Sequence, residues 1–286
     1  MLLSDKKKAV NLLSILVKND SEHVSAYLQL GNLLRDEDAD RAIKIHQMLT
    51  VRQKLDKETK IEIFKSASVI DTHAHVVLEE TEKSAGALGP EMLFDGQTPV
   101  YRIGDYHLKG VNYKNTAFMD PKIRIEKMDV ANIDLQVLTP NPLTYFHYSE
   151  KDLSINFSKK HNDALSYHIK YAPTRLVGMA NLPLQDPSAS VDELHRAIED
   201  LNLCGAAIGT SSIYQLDDPI YDSLYDVFES FEVPLFIHPA PSGIDRPIID
   251  DSLKRYELDL MIGFSFQETI ILSIFNNQIT RSDVYI

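Results

Sequence analysis

Two histidines separated by one residue end a short apolar segment, in the run DTHAH (71–75). In a β-strand, residues i and i+2 point to the same face, so a strand here would place the rings of His73 and His75 side by side. Neutral imidazole nitrogens are suitable ligands for Zn²⁺ and other borderline divalent ions. The pair alone is compatible with a metal site and also with two buried histidines that bond to the backbone.

A third histidine strengthens the metal interpretation. His238 follows the apolar run 233–237, which is the fifth in a series of short apolar segments along the chain. Because the active sites of barrel enzymes are built at the carboxyl ends of the strands, histidines ending the first and fifth strands would converge there. The sequence therefore predicts a metal site formed by His73, His75 and His238.

Residues 66–286 show the alternation of strands and helices that such a barrel requires. Helical stretches at 152–172, 189–202 and 219–232 separate most of the apolar segments. Strands alternating with helices indicate a parallel sheet, and no G-x-G-x-x-G follows the first strand to favour a dinucleotide-binding fold. We therefore expect an α/β fold, an incomplete TIM-type (β/α)8 barrel of about six strands. The predicted strands are VIDTHAH (69–75), DLQVLTP (134–140), RLVGMANLP (175–183), CGAAIGT (204–210), PLFIHP (234–239) and SDVYI (282–286).

The first 65 residues have an all-α pattern instead. Apolar residues recur there at three- and four-residue steps, including Tyr27, Leu30 and Leu34. The run AYLQLGNLL, followed by DRAIKIHQML, is similar to a tetratricopeptide repeat, and the region resembles the repeats of lipopolysaccharide-assembly proteins over about residues 6–65. We therefore predict a TPR-like helical segment at 1–65 before the barrel at 66–286. The resemblance leaves open a protein partner for this segment.

The overall composition excludes several classes of protein. The chain has 286 residues, 44% of them hydrophobic and 25% charged, which is typical of a globular protein. A formal charge of −13 argues against a nucleic-acid partner, and a single cysteine rules out an internal disulfide framework. No apolar run approaches the roughly 18 residues of a membrane span, and the first residues lack the apolar stretch of a signal peptide. We expect a cytoplasmic protein without a membrane span, while homo-oligomerisation stays open.

From about residue 68 onward the sequence resembles the amidohydrolase superfamily, in particular the branch containing aminocarboxymuconate-semialdehyde decarboxylase and the resorcylate-type decarboxylases. Besides the histidines, the resemblance is carried by MDPKIRIEKMDVANIDLQVLTPNP (119–142), HNDALSYHIKYAPTRLVGMANLPLQDP (161–187) and DDPIYDSLYDVFESFEVPLFIHPAP (217–241). It implies a TIM-type barrel with one divalent metal ion, usually Zn²⁺. The family's paired histidines and strand-five histidine carry over onto His73, His75 and His238. The implied activity is decarboxylation or hydrolysis of a small carboxylated substrate, with decarboxylation resting on the resemblance alone.

The chain departs from the family pattern at its end. The family places a functional histidine after strand six and a metal-binding aspartate after strand eight, whereas this chain stops at residues 283–286, which we predict to be strand six. A barrel of six strands cannot close, and the metal would lose its carboxylate ligand. We therefore expect impaired activity and assign no catalytic residue.

Other residues are interpreted from their position in the pattern. His147 follows the second predicted barrel strand in a loop on the catalytic side, which makes it a candidate substrate-binding residue. His161, His168 and His195 fall in predicted helices, where we expect solvated or interfacial side chains. The glycine-rich segment 77–114 is interpreted as a long loop that shapes the substrate pocket.

Two other functional hypotheses fit the sequence. The helical segment favours a helical-repeat interaction protein that carries a degenerate barrel. Alternatively, because each part resembles a different family and both are incomplete, the chain is a fusion of two gene fragments without activity, joined near residues 63–68.

Overall fold

The computed structural model describes residues 3–19, 24–34, 38, 41–42, 44–45, 57–210 and 212–238. The predicted strand at 282–286 lies outside this described part. Within it, no helix is both long enough and apolar enough to cross a membrane. The helices are α1 (Leu3–Asn19), α2 (Val24–Leu34), α3 (Lys57–Ser66), α4 (Pro121–Val130), α5 (Lys151–Ile169), α6 (Pro187–Glu199) and α7 (Asp222–Phe231). The strands are β1 (Ile70–Val76), β2 (Glu91–Asp95), β3 (Thr98–Ile103), β4 (Tyr106–Lys109), β5 (Leu135–Pro140), β6 (Leu176–Gly178), β7 (Ala206–Gly209) and β8 (Leu235–His238).

The strands predicted for the barrel form parallel sheet structure in their chain order. β5 lies between β1 and β6 in one sheet, and β7 pairs with β8 in another. An isolated parallel bridge joins Ala180, just after β6, to Ala206 at the start of β7. The register of β7 and β8 places Gly209 opposite His238. The predicted parallel α/β architecture is therefore confirmed, and across the described residues the strands do not close into a barrel.

Aspartate–proline pairs set where two of the intervening helices begin. The side chain of Asp120 accepts hydrogen bonds from the backbone N–H groups of Lys122 and Ile123 at the start of α4. Asp186 caps α6 in the same way by accepting from Ala189 N–H. In both cases the next residue is proline, which needs no N–H partner in the first turn. These caps therefore satisfy backbone N–H groups in the first turn of each helix.

The segment 77–114 is not the long loop that the sequence analysis expected. It contains the three-stranded antiparallel sheet β2–β3–β4, in which Asp95 pairs with Thr98 and Ile103 pairs with Tyr106. Both hairpins therefore turn through two residues, and Gly96 and Gly104 take the positive φ values of 62° and 54°. Two-residue hairpin turns need such φ values, which glycine adopts without a steric penalty. The Gly-Gln and Gly-Asp turn pairs were the signal that could have revealed this sheet.

The chain divides into two compact units. The first comprises residues 1–74, 120–137 and 167–177, and the second comprises residues 75–119, 138–166 and 178–286. Three of the five boundaries fall within β1, β5 and β6, one falls within α5, and one lies just before α4. The predicted boundary near residue 65 rests on sequence texture and stays a prediction.

Each unit has its own apolar core. In the first, the predicted periodic positions Tyr27, Leu30 and Leu34 of α2 are buried, and the Tyr27 hydroxyl donates to the carbonyl of Val17 in α1 at 3.0 Å. In the second, the antiparallel sheet packs its inner face against the loop after β5 and the first half of α5. The buried residues of that core are Val77, Ala85, Met92, Tyr101, Ile103, Phe146 and Phe157.

Replacing Gly205 by alanine is expected to destabilise the chain where β7 meets β8. A Cβ atom at Gly205 would lie 2.3 Å from the carbonyl oxygen of Pro234, so backbone rather than a side chain must move. We expect Gly205→Ala to lower the free energy of unfolding by about 3 kcal/mol, the upper range for overpacking. Urea unfolding followed by circular dichroism measures this.

The matched control is Gly96→Ala. A Cβ atom there meets nothing within 4 Å, and only the positive φ opposes it, at a cost of about 1 kcal/mol. Equal losses for the two variants would contradict the close approach of residue 205 to Pro234.

Candidate metal centre

The three histidines predicted as metal ligands lie together. Along β1, Ala74 and Val76 are buried while His73 is exposed and His75 is half-buried, so the two histidines share the opposite face of the strand. His238 is the last residue of β8. Each of the three histidines offers a side-chain nitrogen, and these atoms lie within 4.8 Å of one another.

The ring of His75 is held on two sides. It packs edge to face against the ring of His238, with the ring centroids 4.8 Å apart and an interplanar angle of 72°. Its Nδ1 atom lies 2.9 Å from the hydroxyl of Thr139 and 3.2 Å from the carbonyl oxygen of Pro140, both in β5. The ring orientation is therefore determined by β5 and by the neighbouring ring.

A separate network of polar side chains supports the start of the DTHAH motif (71–75). The carboxylate of Asp71 accepts a hydrogen bond from the backbone N–H of His73 at 3.1 Å and another from the amide of Gln136 at 2.8 Å. The side-chain carbonyl oxygen of Gln136 in turn accepts a hydrogen bond from the Arg124 guanidinium at 2.6 Å. Burial lowers the pKa of Arg124 to about 10, and the negative charge of Asp71 opposes that shift. Buried charge of this kind is tolerated because hydrogen-bond partners and a carboxylate are at hand.

Sequence reasoning missed Gln136 as part of this network. The residue is a polar side chain in DLQVLTP, a strand in which every residue from Leu135 to Pro140 is buried. A buried amide needs hydrogen-bond partners, so a glutamine in a buried strand is a usable signal for a polar network.

The donor set fits a divalent ion. Imidazole suits zinc and other late divalent ions, and neutral nitrogen ligands lie about 2.0–2.1 Å from Zn²⁺. Two ligands of one such ion are at most about 4.2 Å apart, so small ring rotations bring the three nitrogens into range. Among the described residues the group contains no carboxylate, which leaves coordination positions for water or for a substrate.

His147, the predicted substrate-binding residue, lies in the loop that follows β5 and not in the three-histidine group. Its side chain is 2% exposed, and its ring stacks on Tyr145 with centroids 5.3 Å apart. The loop is tied down by the segment after β6, because the Asn181 side-chain amide donates to the Thr144 carbonyl and the Gln185 amide donates to the Phe146 carbonyl.

The expectation that the helix histidines are solvated or interfacial is wrong for two of them. His161 and His168 are 3% and 7% exposed in the interior of their units, because the face of α5 that carries them packs inward. Desolvation lowers the pKa of each to about 4. His195 is half-buried on α6, where its ring lies 3.8 Å from the Glu199 carboxylate, in agreement with a solvated or interfacial side chain.

Residues 70–263 match the amidohydrolase family, which is more than half of the chain. The chain belongs to the amidohydrolase family.

Two curated relatives are decarboxylases. The 2-amino-3-carboxymuconate-6-semialdehyde decarboxylase of Dictyostelium discoideum is 32% identical over 148 residues, which cover 50% of this chain and 39% of that protein. The gamma-resorcylate decarboxylase of Rhodococcus jostii is 31% identical over 127 residues, 41% of this chain and 39% of that protein. The chain therefore spans about two fifths of the length of these relatives.

A solved structure shows the same fold. It is 5-carboxyvanillate decarboxylase of Novosphingobium aromaticivorans in complex with manganese and 4-hydroxy-3-methoxy-5-nitrobenzoic acid. The match has a TM-score of 0.52 and 20% identity, and it covers 73% of this chain and 62% of that chain. These similarities concern the barrel region, and the tetratricopeptide resemblance of residues 1–65 stays a prediction.

Lowering the pH is expected to reduce the free energy of unfolding because His161 is buried. Its pKa is about 4 in the folded chain and about 6.5 when unfolded. Above pH 6.5 the ring is neutral in the folded and in the unfolded chain, so it does not change the free energy of unfolding with pH. Between pH 6.5 and 4 only the unfolded chain takes up the proton, so the free energy of unfolding falls by up to about 1.4 kcal/mol per pH unit from this residue. We expect His161→Leu to lose stability less steeply than the wild type over that range.

Urea unfolding at pH 7.5, 6.0 and 5.0 measures both slopes. His195→Leu is the matched control, because it makes the same substitution at a histidine whose side chain is partly exposed. Parallel curves for wild type and His161→Leu would show that His161 accepts a proton in the folded state.

Proposed function

We propose that the chain is a metal-dependent decarboxylase domain acting on a small carboxylated molecule of aromatic or muconate type. The observation that carries this proposal is the convergence of His73, His75 and His238 in a chain of the amidohydrolase family. The names of the two curated relatives support decarboxylation over hydrolysis. Because the chain spans only part of those relatives, the activity is a proposal for this chain and not a transfer from them.

The three histidines would hold one divalent ion. When bound, the ion supplies Lewis-acid chemistry by polarising an oxygen atom of the substrate. The all-imidazole donor set favours Zn²⁺, and the manganese in the 5-carboxyvanillate decarboxylase structure makes Mn²⁺ the alternative to test.

The charge of the ligands bears on the substrate. Three neutral imidazoles leave the double positive charge of an ion uncompensated, and a negatively charged carboxylate is the natural counter-charge. The chain as a whole carries a formal charge of −13, so local attraction at the histidines must outweigh the general repulsion of an anion. A small acid with one or two negative charges can be attracted by the ion, whereas a polyanion is repelled more strongly by the negative charge of the chain.

We further assign His147 to substrate binding. Its loop begins directly after the β5 residues that contact His75, which brings the loop to the side of the sheet where the metal ligands lie. Stacking on Tyr145 and the hydrogen bonds from Asn181 and Gln185 hold the loop in place. A preorganised imidazole of this kind loses little entropy when it binds an anionic or hydroxyl group of a substrate.

The remaining sequence interpretations stay predictions. They are the division into a helical segment at 1–65 and a barrel at 66–286, a protein partner for the helical segment, self-association, the fusion of two gene fragments, and a cytoplasmic location. The fusion hypothesis predicts a chain without activity, so the assays below also test it.

Metal content tests the proposed centre. We expect the purified chain, after incubation with Zn²⁺ or Mn²⁺ and desalting, to retain about one ion per chain, and the double variant His73→Ala/His238→Ala to retain none. The control is His107→Ala/His195→Ala, which removes one exposed and one half-buried histidine outside the group. Carbon dioxide release from 2,6-dihydroxybenzoate should require the ion and disappear in the double variant. Metal retention by that variant would exclude the centre. A metal-loaded chain that releases carbon dioxide neither from 2,6-dihydroxybenzoate nor from 2-amino-3-carboxymuconate-6-semialdehyde would exclude the decarboxylase.

Ligand binding tests His147. We expect His147→Asn to weaken binding of 2,6-dihydroxybenzoate to the metal-loaded chain by about tenfold, since one hydrogen bond to a charged ligand is lost. Calorimetric titration gives the dissociation constant, and His195→Asn is the control. Unchanged binding by His147→Asn, with metal content intact, would remove this residue from the substrate site.

A further inference from the structure

The hydroxyl of Thr139 is a polar group in an unusual place. Thr139 is fully buried, in a strand whose six residues are all buried. Valine has the same shape and would avoid the desolvation of a hydroxyl, which costs free energy unless the group is hydrogen-bonded. The hydroxyl lies 2.9 Å from Nδ1 of His75. It therefore contacts the ring of one of the three histidines of the candidate metal centre.

The second contact of Nδ1 favours one tautomer of His75. The carbonyl oxygen of Pro140 lies 3.2 Å from Nδ1, and a carbonyl oxygen can only accept a hydrogen bond. Nδ1 must therefore carry the proton for this bond to form, and the hydroxyl oxygen of Thr139 accepts from the same N–H. A neutral ring protonated at Nδ1 keeps its lone pair at Nε2, which is then the nitrogen available to a metal ion.

One of the two acceptors near Nδ1 belongs to the backbone and the other belongs to a side chain. Any residue at position 140 would supply a carbonyl oxygen, whereas the closer contact depends on the side chain at position 139. On the other side, the His238 ring crosses that of His75 at 72°. Rotation of the His75 ring would break the contact with Thr139 and change the packing against His238.

We propose that Thr139 is a positioning residue of the metal centre, which holds His75 in the Nδ1–H tautomer and orients its Nε2 toward the ion. This inference rests on the proposed function, because it assigns His75 as a metal ligand. Groups that orient metal-bound histidines in this way typically change metal affinity by 10- to 100-fold when they are removed. Thr139 itself does not touch the ion or the substrate.

Thr139→Val removes the hydroxyl and keeps the shape of the side chain. We expect it to weaken Zn²⁺ and Mn²⁺ binding by about tenfold, measured by competition with a chromophoric chelator, and we expect Thr139→Ser to restore binding. The control is Thr174→Val. Thr174 is also buried, and its hydroxyl has no hydrogen-bond partner among the described residues, so the same change there should leave the affinity as it is.

A second readout is independent of metal affinity and of activity. In the metal-free chain labelled with ¹⁵N-histidine, the two-bond ¹H–¹⁵N spectrum distinguishes protonated from unprotonated ring nitrogens. We expect the wild-type His75 to show Nδ1 protonated and Nε2 unprotonated, and Thr139→Val to show a mixture of tautomers. His75→Gln assigns the signals.

The outcomes separate this inference from the function on which it rests. A wild-type chain that binds neither ion overturns both. A wild type that binds metal, together with equal affinity and an unchanged tautomer in Thr139→Val, overturns only the role of Thr139. If Thr139→Val does not fold, the wild-type spectrum decides alone, and a protonated Nε2 on His75 overturns the proposal.

Discussion

Hydrogen bonds between the side chains of β1 and β5 are the interactions on which the histidine centre depends. Gln136 bonds to Asp71 at the amino end of β1, and Thr139 bonds to His75 near its carboxyl end. β5 is buried at these positions, while Asp71 and His75 in β1 are half-buried, so the buried polar groups of β5 find their partners on β1. Satisfying those groups aligns the β1 side chains with β5 and helps to orient the ring of His75.

Basic side chains stabilise the same region from outside the sheet. Arg175, at the start of β6, donates to the carboxylate of Asp129 and to the carbonyls of Ile133 and Asp134, which lie between α4 and β5. Arg124 reaches Gln136 from α4. These contacts satisfy carbonyl groups at the end of a helix and at the entry to a strand, groups that would otherwise be buried without partners. The supports of the centre are thus built from the helix–strand connections of the α/β fold.

Membership in the amidohydrolase family and the three-histidine group are both consistent with chemistry at a divalent metal ion. The family follows from the sequence of residues 70–263, and the grouping follows from the coordinates. The antiparallel sheet at 91–109 adds a packed element after the strand that carries His73 and His75. Its inner residue Tyr101 is buried in the core of that sheet, and burial raises the pKa of its hydroxyl above the ordinary range.

Local patterns in the sequence were sufficient for the described strands β1, β5, β6, β7 and β8, for the parallel architecture and for grouping the three histidines, but the antiparallel sheet at 91–109 was missed. Period-two and period-three-to-four spacings reflect strand and helix geometry, which neighbouring residues impose on each other. The carboxyl ends of parallel strands share an edge, and for that reason His73, His75 and His238 could be grouped before any coordinates were known. The Asp–Pro caps before α4 and α6 belong to the same local category.

Long-range packing decided the rest. The burial of His161 and His168 depends on which face of α5 packs inward, and the helical period of their own segment did not reveal this face. Gln136 and Thr139 have roles that exist only because β5 lies beside β1, residues about 65 positions away in the chain. A side chain in a buried strand is ambiguous in sequence, because its partner comes from a strand that only the folded sheet places next to it.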